Sequence, residues 1–204
     1  MEITYETGTV TGITSGPPGP VGVLLAHGAG VGQDHPWIVA VREGLARHGL
    51  FVMSFNYRYT EAGRRAPDRM PTLLAVHRAA ANAMAKECDS VILAGKSMGG
   101  RVGSHLVGEE GWPAAALVYF GYPLVPMGKG EPRPVDHLLA IDVPQLFFAG
   151  SRDRLTPRTQ GSQHRIRRCQ PAEWEGSTNR GLGAPYTGSG TLGSQRLGQR
   201  VGGR

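Results

Sequence analysis

Val91-Ile-Leu-Ala-Gly-Lys-Ser-Met-Gly-Gly-Arg101 lies near the middle of a 204-residue chain. Its first four residues are apolar and partly β-branched, which predicts a buried strand. Met98 to Val107 predicts a helix, with Gly99, Gly100 and Gly103 as small residues along it. Between them Gly95-Lys96-Ser97-Met98-Gly99 fits G-x-S-x-G, a pattern that carries weight only when a strand leads in and a helix leads out. Both do so here. In such a turn the serine sits on strained backbone, and flanking glycines keep its neighbours from clashing. Its hydroxyl then stands above the sheet, facing the first N–H groups of the helix. The competing reading, a buried serine in an ordinary strand-to-helix turn, fits this context less well.

Four further apolar runs flank that stretch: Val21 to Ala26, Leu50 to Phe55, Ala115 to Phe120 and Val143 to Ala149. They are continuous rather than alternating, as expected of parallel strands buried on both faces. Pro144 opens the last run, where a missing N–H does little harm. Helices are expected between the runs. Pro36 to His48 sets Ile38, Val41 and Leu45 on one stripe. Pro67 to Glu87 repeats Met70, Leu73, Leu74, His77, Ala81 and Met84 at helical spacing, which makes His77 a structural histidine. A short helix fits Pro134 to Ala140. Strands alternating with helices predict an α/β fold, a mostly parallel sheet with helices on both faces. The first twenty residues fit one or two short edge strands closed by Ser15-Gly-Pro-Pro-Gly19.

Charge divides the chain at Pro157. Residues 1–157 hold 14 Lys+Arg and 14 Asp+Glu, whereas 158–204 hold eight Arg against Glu173 and Glu175. Beyond Pro157 glycine rises, Lys, Asp, Phe and Met vanish, and no periodicity remains. The expected organisation is a core over 1–157 that is incomplete at its C-terminal end, then a Gly/Arg-rich tail over 158–204. That tail is expected to be disordered, or to be read from a shifted frame. A nucleic-acid arm would cluster its charge and include lysine, so no nucleic-acid partner is expected. The N-terminus lacks a cationic start and an apolar run, and no apolar stretch reaches membrane-spanning length, so a cytoplasmic protein without a membrane partner is expected. Cys88 and Cys169 show no metal or redox spacing. No cofactor and no metal is implied, and a P-loop is absent.

Two more segments bear on chemistry. His27-Gly-Ala-Gly30 follows the first strong strand, and Asp153, in Gly150-Ser-Arg-Asp-Arg-Leu-Thr-Pro157, follows the last. A carboxylate after a late strand fits the order Ser, Asp, His. Its alternative is a turn residue paired with Arg152 or Arg154. Asp136 and Asp142 precede that strand and read as caps or surface charges. Taken together, Leu24-Leu-Ala-His-Gly-Ala-Gly30, the elbow Gly95 to Arg101, Gly121-Tyr-Pro-Leu124 and Pro144 to Asp153 resemble the small lidless α/β-hydrolases related to dienelactone hydrolase. Within that group the resemblance is to the branch of the Tex30-like proteins and the KAT8 regulatory complex subunit 3 hydrolase-like domain. It implies an α/β-hydrolase fold, Ser97 as nucleophile, Asp153 as catalytic acid, and backbone N–H groups of Ala29 and Met98 as oxyanion donors. His27 is then a residue that shapes its turn.

The sequence departs from the family pattern in two places. A histidine-bearing Pro-Leu-His-Pro-Pro-Gly stretch reads Pro123-Leu-Val-Pro-Met-Gly128 here. The family's catalytic histidine follows the acid on a loop between a final strand and helix, and neither element is evident. His164, the only histidine after Asp153, has no strand to place it. The expected function is therefore a serine hydrolase of the carboxylesterase, thioesterase or dienelactonase type, acting on a small ester-like substrate through an acyl-enzyme. Its activity is reduced if the base is missing. The alternatives are a catalytically impaired α/β-hydrolase-like interaction module and, from another class, a nucleic-acid binder working through the tail.

Overall fold

A strand of five apolar residues cannot stay in water, and this chain stacks such strands side by side. The computed structural model describes residues 1–126, 131–150 and 155. They lie in one unit and contain β1 (Glu2–Tyr5), β2 (Gly8–Ser15), β3 (Val21–Ala26), α1 (Pro36–Arg47), β4 (Phe51–Phe55), α2 (Arg58–Glu61), α3 (Met70–Met84), β5 (Ser90–Lys96), α4 (Met98–Gly108), β6 (Ala116–Phe120), α5 (Asp136–Leu139) and β7 (Gln145–Phe148). The sheet order is β1-β2-β4-β3-β5-β6-β7. β2 runs antiparallel to β1 and β4, and every pairing from β4 through β7 is parallel.

The five runs read from sequence are β3, β4, β5, β6 and β7, each within two residues at either end. Burial on both faces explains their unbroken apolarity. Leu24 and Ala26 of β3 join a core cluster with α3 and α4, while Val23 and Leu25 join a second cluster with Ile38 of α1. α1 covers one face and α3 with α4 the other, so the sheet forms the middle of three layers. Two details carry no mark in the sequence. The β1–β2 hairpin closes at Glu6-Thr7, with Tyr5 opposite Gly8, whereas Ser15 to Gly19 leads out of β2 towards β3. Gly16 is still needed there: its φ is +85°, and a Cβ would lie 2.1 Å from the Leu50 carbonyl oxygen. The four-residue α2 is too short to leave a helical period in the sequence.

His77 lies on the core face of α3, 1% exposed, with its Nδ1 2.9 Å from the Tyr57 hydroxyl. Burial, aided by His27, pulls its pKa from 6.5 down to about 3. Between those two values the unfolded chain holds a proton that the native one refuses, so stability falls with pH through that window and is retained above it. At pH 5 the loss from this residue is about 2 kcal/mol. Urea unfolding at pH 7.5 and pH 5 checks it, and His77→Asn is expected to flatten the dependence.

Candidate active site

The strand-to-helix turn at residue 97 has the geometry its sequence predicts. β5 ends at Lys96, α4 begins at Met98, and Ser97 between them has φ +48° and ψ −108°. Among the described residues it is the only non-glycine with positive φ. Such a conformation costs on the order of 1–3 kcal/mol and persists only where surrounding structure enforces it. Here the Ser97 N–H donates to the Phe120 carbonyl at 3.0 Å, and the Ser97 carbonyl accepts from Arg101 N–H at 3.1 Å. Backbone bonds thus hold the residue on both sides, and its side chain is half-buried at the C-terminal edge of the sheet.

The glycines flanking it serve close approach rather than φ. A Cβ on Gly95 would stand 2.2 Å from Gly100 N, and one on Gly99 would stand 2.7 Å from the Ala26 and His27 carbonyl oxygens. The first turn of α4 therefore lies directly on the end of β3. This contact brings the loop after β3 beside Ser97: a Cβ on Gly28 would be 3.8 Å from that of Ser97. Gly30 has φ +78°, a turn only glycine takes freely. Met98 supplies the first N–H of α4, one of the four with no acceptor inside the helix. Ala29, exposed in the adjoining loop, carries the other N–H named from sequence.

His27 stands under that loop, fully buried. Its Nδ1 lies 2.8 Å from the Gly28 carbonyl, and its Nε2 accepts from Tyr57 N–H at 3.2 Å, with the Thr60 hydroxyl 3.4 Å away. Nδ1 therefore carries the proton, and burial lowers the pKa. Both nitrogens are engaged in shaping the loop. Tyr57, Tyr59 and Thr60 brace this histidine and its loop. They lie in the segment around α2, where no period marked them. Next to Ser97 along the chain, the Lys96 ammonium sits over the Trp37 ring at 4.8 Å, and Trp37 meets Phe120 edge-on. Burial pulls Lys96 below its ordinary value.

A model of the alpha/beta hydrolase domain family matches residues 20–193. The chain belongs to that family. Its fold resembles a serine hydrolase homologue from Coxiella burnetii, with 19% identity over 78% of this chain and 77% of that one and a TM-score of 0.63. It also resembles an esterase from Pyrococcus furiosus (17% identity, 78% and 71% covered, TM-score 0.63) and a lidless serine hydrolase from Xanthomonas campestris (14%, 73% and 81%, TM-score 0.56). At these identities the likeness is one of fold.

For an alpha/beta hydrolase, three of the four site residues named from sequence, Ser97, Met98 and Ala29, fall on two adjacent backbone segments at one end of the sheet. Asp153 lies outside the described residues, as do His164 and the 158–204 segment. β7 ends just before that position, and Gly121 N–H donates to its last carbonyl, Phe148, at 2.7 Å. Six of the seven histidines are described, and none of them hydrogen-bonds Ser97. His105 lies eight residues along α4, about 12 Å by helical rise. His35 accepts the Trp37 N–H as the cap of α1. Among the described residues no helix is long and apolar enough to cross a membrane.

Proposed function

We propose that the chain is a serine hydrolase cutting an ester-like bond of a small molecule, of the carboxylesterase, thioesterase or dienelactonase type. The strained backbone of Ser97 carries this reading: an alpha/beta hydrolase keeps a non-glycine residue at φ +48° where its hydroxyl gains from being presented. Ser97 Oγ attacks the acyl carbon, and the carbonyl oxygen becomes an oxyanion beside the Met98 and Ala29 N–H groups. Each such donor contributes about 3 kcal/mol to the transition state. Asp153 is the acid that would orient the base taking the serine proton, and that base is not among the described histidines. The alcohol or thiol leaves with that proton, and water then releases the acid. The motifs shared with the dienelactone-hydrolase-like branch support a small, open-sited substrate.

Pre-steady-state hydrolysis of p-nitrophenyl acetate and butyrate tests the proposal. A burst equal to the enzyme concentration, followed by slower turnover, is the result expected of an acyl-enzyme. Hydrolysis no faster than the buffer rate would contradict it. One observation favours a second reading, an interaction module without turnover: no described histidine bonds Ser97. That reading requires a flat burst.

A further inference from the structure

Two turns beyond Ser97, α4 carries a second group of side chains that acyl transfer does not use. His105 and Glu109 are four residues apart and share a helix face, with Nδ1 and Oε1 2.8 Å apart. α5 packs directly against this helix; a Cβ on Gly108 would lie 2.2 Å from the His137 carbonyl oxygen. That contact lays the His137 ring on His105, with centroids 3.9 Å apart and planes 12° from parallel. One donor atom from each of His105, Glu109 and His137 falls within 4.8 Å of the other two. Nε2 of His137 also meets the Tyr122 hydroxyl at 2.9 Å and the Ser104 hydroxyl at 3.1 Å.

We propose that His105, Glu109 and His137 form a binding site for a divalent transition-metal ion of the zinc class, which clasps α5 to α4. Two imidazoles and one carboxylate make the donor set that zinc accepts, with a fourth position left for water. The supporting shell is built. A ligating imidazole is ordinarily held at its other nitrogen by a hydrogen-bonding partner, and Tyr122 with Ser104 grip His137 in that way. The Glu109 side chain is 54% exposed, which leaves the site open to solvent on one side.

Parallel rings cannot both aim a lone pair at one ion, so one of them turns on binding. His137 is gripped by two hydroxyls and His105 is not. His105 therefore rotates, exchanging its Glu109 contact for the shared ion, so that donors now within 4.8 Å of one another take up the spacing of roughly 3.3 Å that zinc bonds near 2 Å require.

The test uses the full chain, stripped with a chelator, titrated with Zn(II) by calorimetry and with Co(II) by its visible absorption. One ion per chain is expected, with a rise in Tm on zinc addition. Glu109→Gln, at a position open enough to fold normally, and His105→Gln, its folding checked by its Tm without zinc, are each expected to weaken binding at least about tenfold and to remove the Tm rise. Stoichiometric binding that both variants leave unchanged would place the ion elsewhere, at Cys88 or a residue beyond 155, and overturn the proposal. Absence of saturable binding would overturn it too. Neither readout depends on hydrolysis, so the outcome is separate from the fate of the Ser97 reading.

Discussion

Ser97→Ala is expected to lower the steady-state rate on p-nitrophenyl esters at least about a thousandfold, because it removes the atom proposed to form the acyl-enzyme. The same substitution leaves the backbone strain in place, since alanine suffers the same Cβ crowding at φ +48°. Ser97→Gly separates the two effects. It is expected to be as inactive as the alanine variant and more stable by about 1 kcal/mol, the lower end of what such a conformation costs an L-residue. Steady-state kinetics with urea unfolding on all three proteins checks both. Equal stability of the two variants would mean that the turn holds no strain, and residual turnover near wild type would remove Ser97 from the reaction.

Gly95→Ala is expected to cost on the order of 4 kcal/mol or more, enough to unfold much of the protein at 37 °C. Its added methyl would stand 2.2 Å from Gly100 N and 2.4 Å from Gly99 C, both backbone atoms. The helix cannot back away in the other direction, because Gly99 itself rests against the Ala26 and His27 carbonyls. Gly19→Ala is the control: nothing lies within 4 Å of a Cβ there, and its backbone is not left-handed. That change is expected to be neutral or slightly stabilising. Urea unfolding of both variants decides the matter, and a loss below 1 kcal/mol for Gly95→Ala would show the elbow to be looser than its glycines imply.

The parts of this molecule that were legible in its sequence are those fixed by neighbours along the chain. Val21 to Ala26 and Val91 to Ala94 announce strands because both faces of each are buried, and Ser97 announces itself because strand, turn and helix are contiguous. The β1–β2 turn did not, since Glu6-Thr7 carries no glycine or proline to mark it. α2 did not, being one turn long. The bracing of His27 by Tyr57 and Thr60 spans some thirty residues, and no local pattern reports such a distance. The cluster on α4 shows both regimes. His105 and Glu109 are readable as an i, i+4 pair, but His137 joins them only because Gly108 lets α5 lie on the helix. Asp153, the acid expected from its place after a late strand, falls outside the described residues.

Covalent labelling asks most directly whether Ser97 is an activated nucleophile. The full chain is treated with a fluorophosphonate probe, digested, and the modified residue located by mass spectrometry. The expected result is stoichiometric modification at Ser97, lost in Ser97→Ala and absent from heat-unfolded protein. An unmodified Ser97 in folded protein, or a label spread over several serines, would contradict the claim and leave the fold as an interaction module.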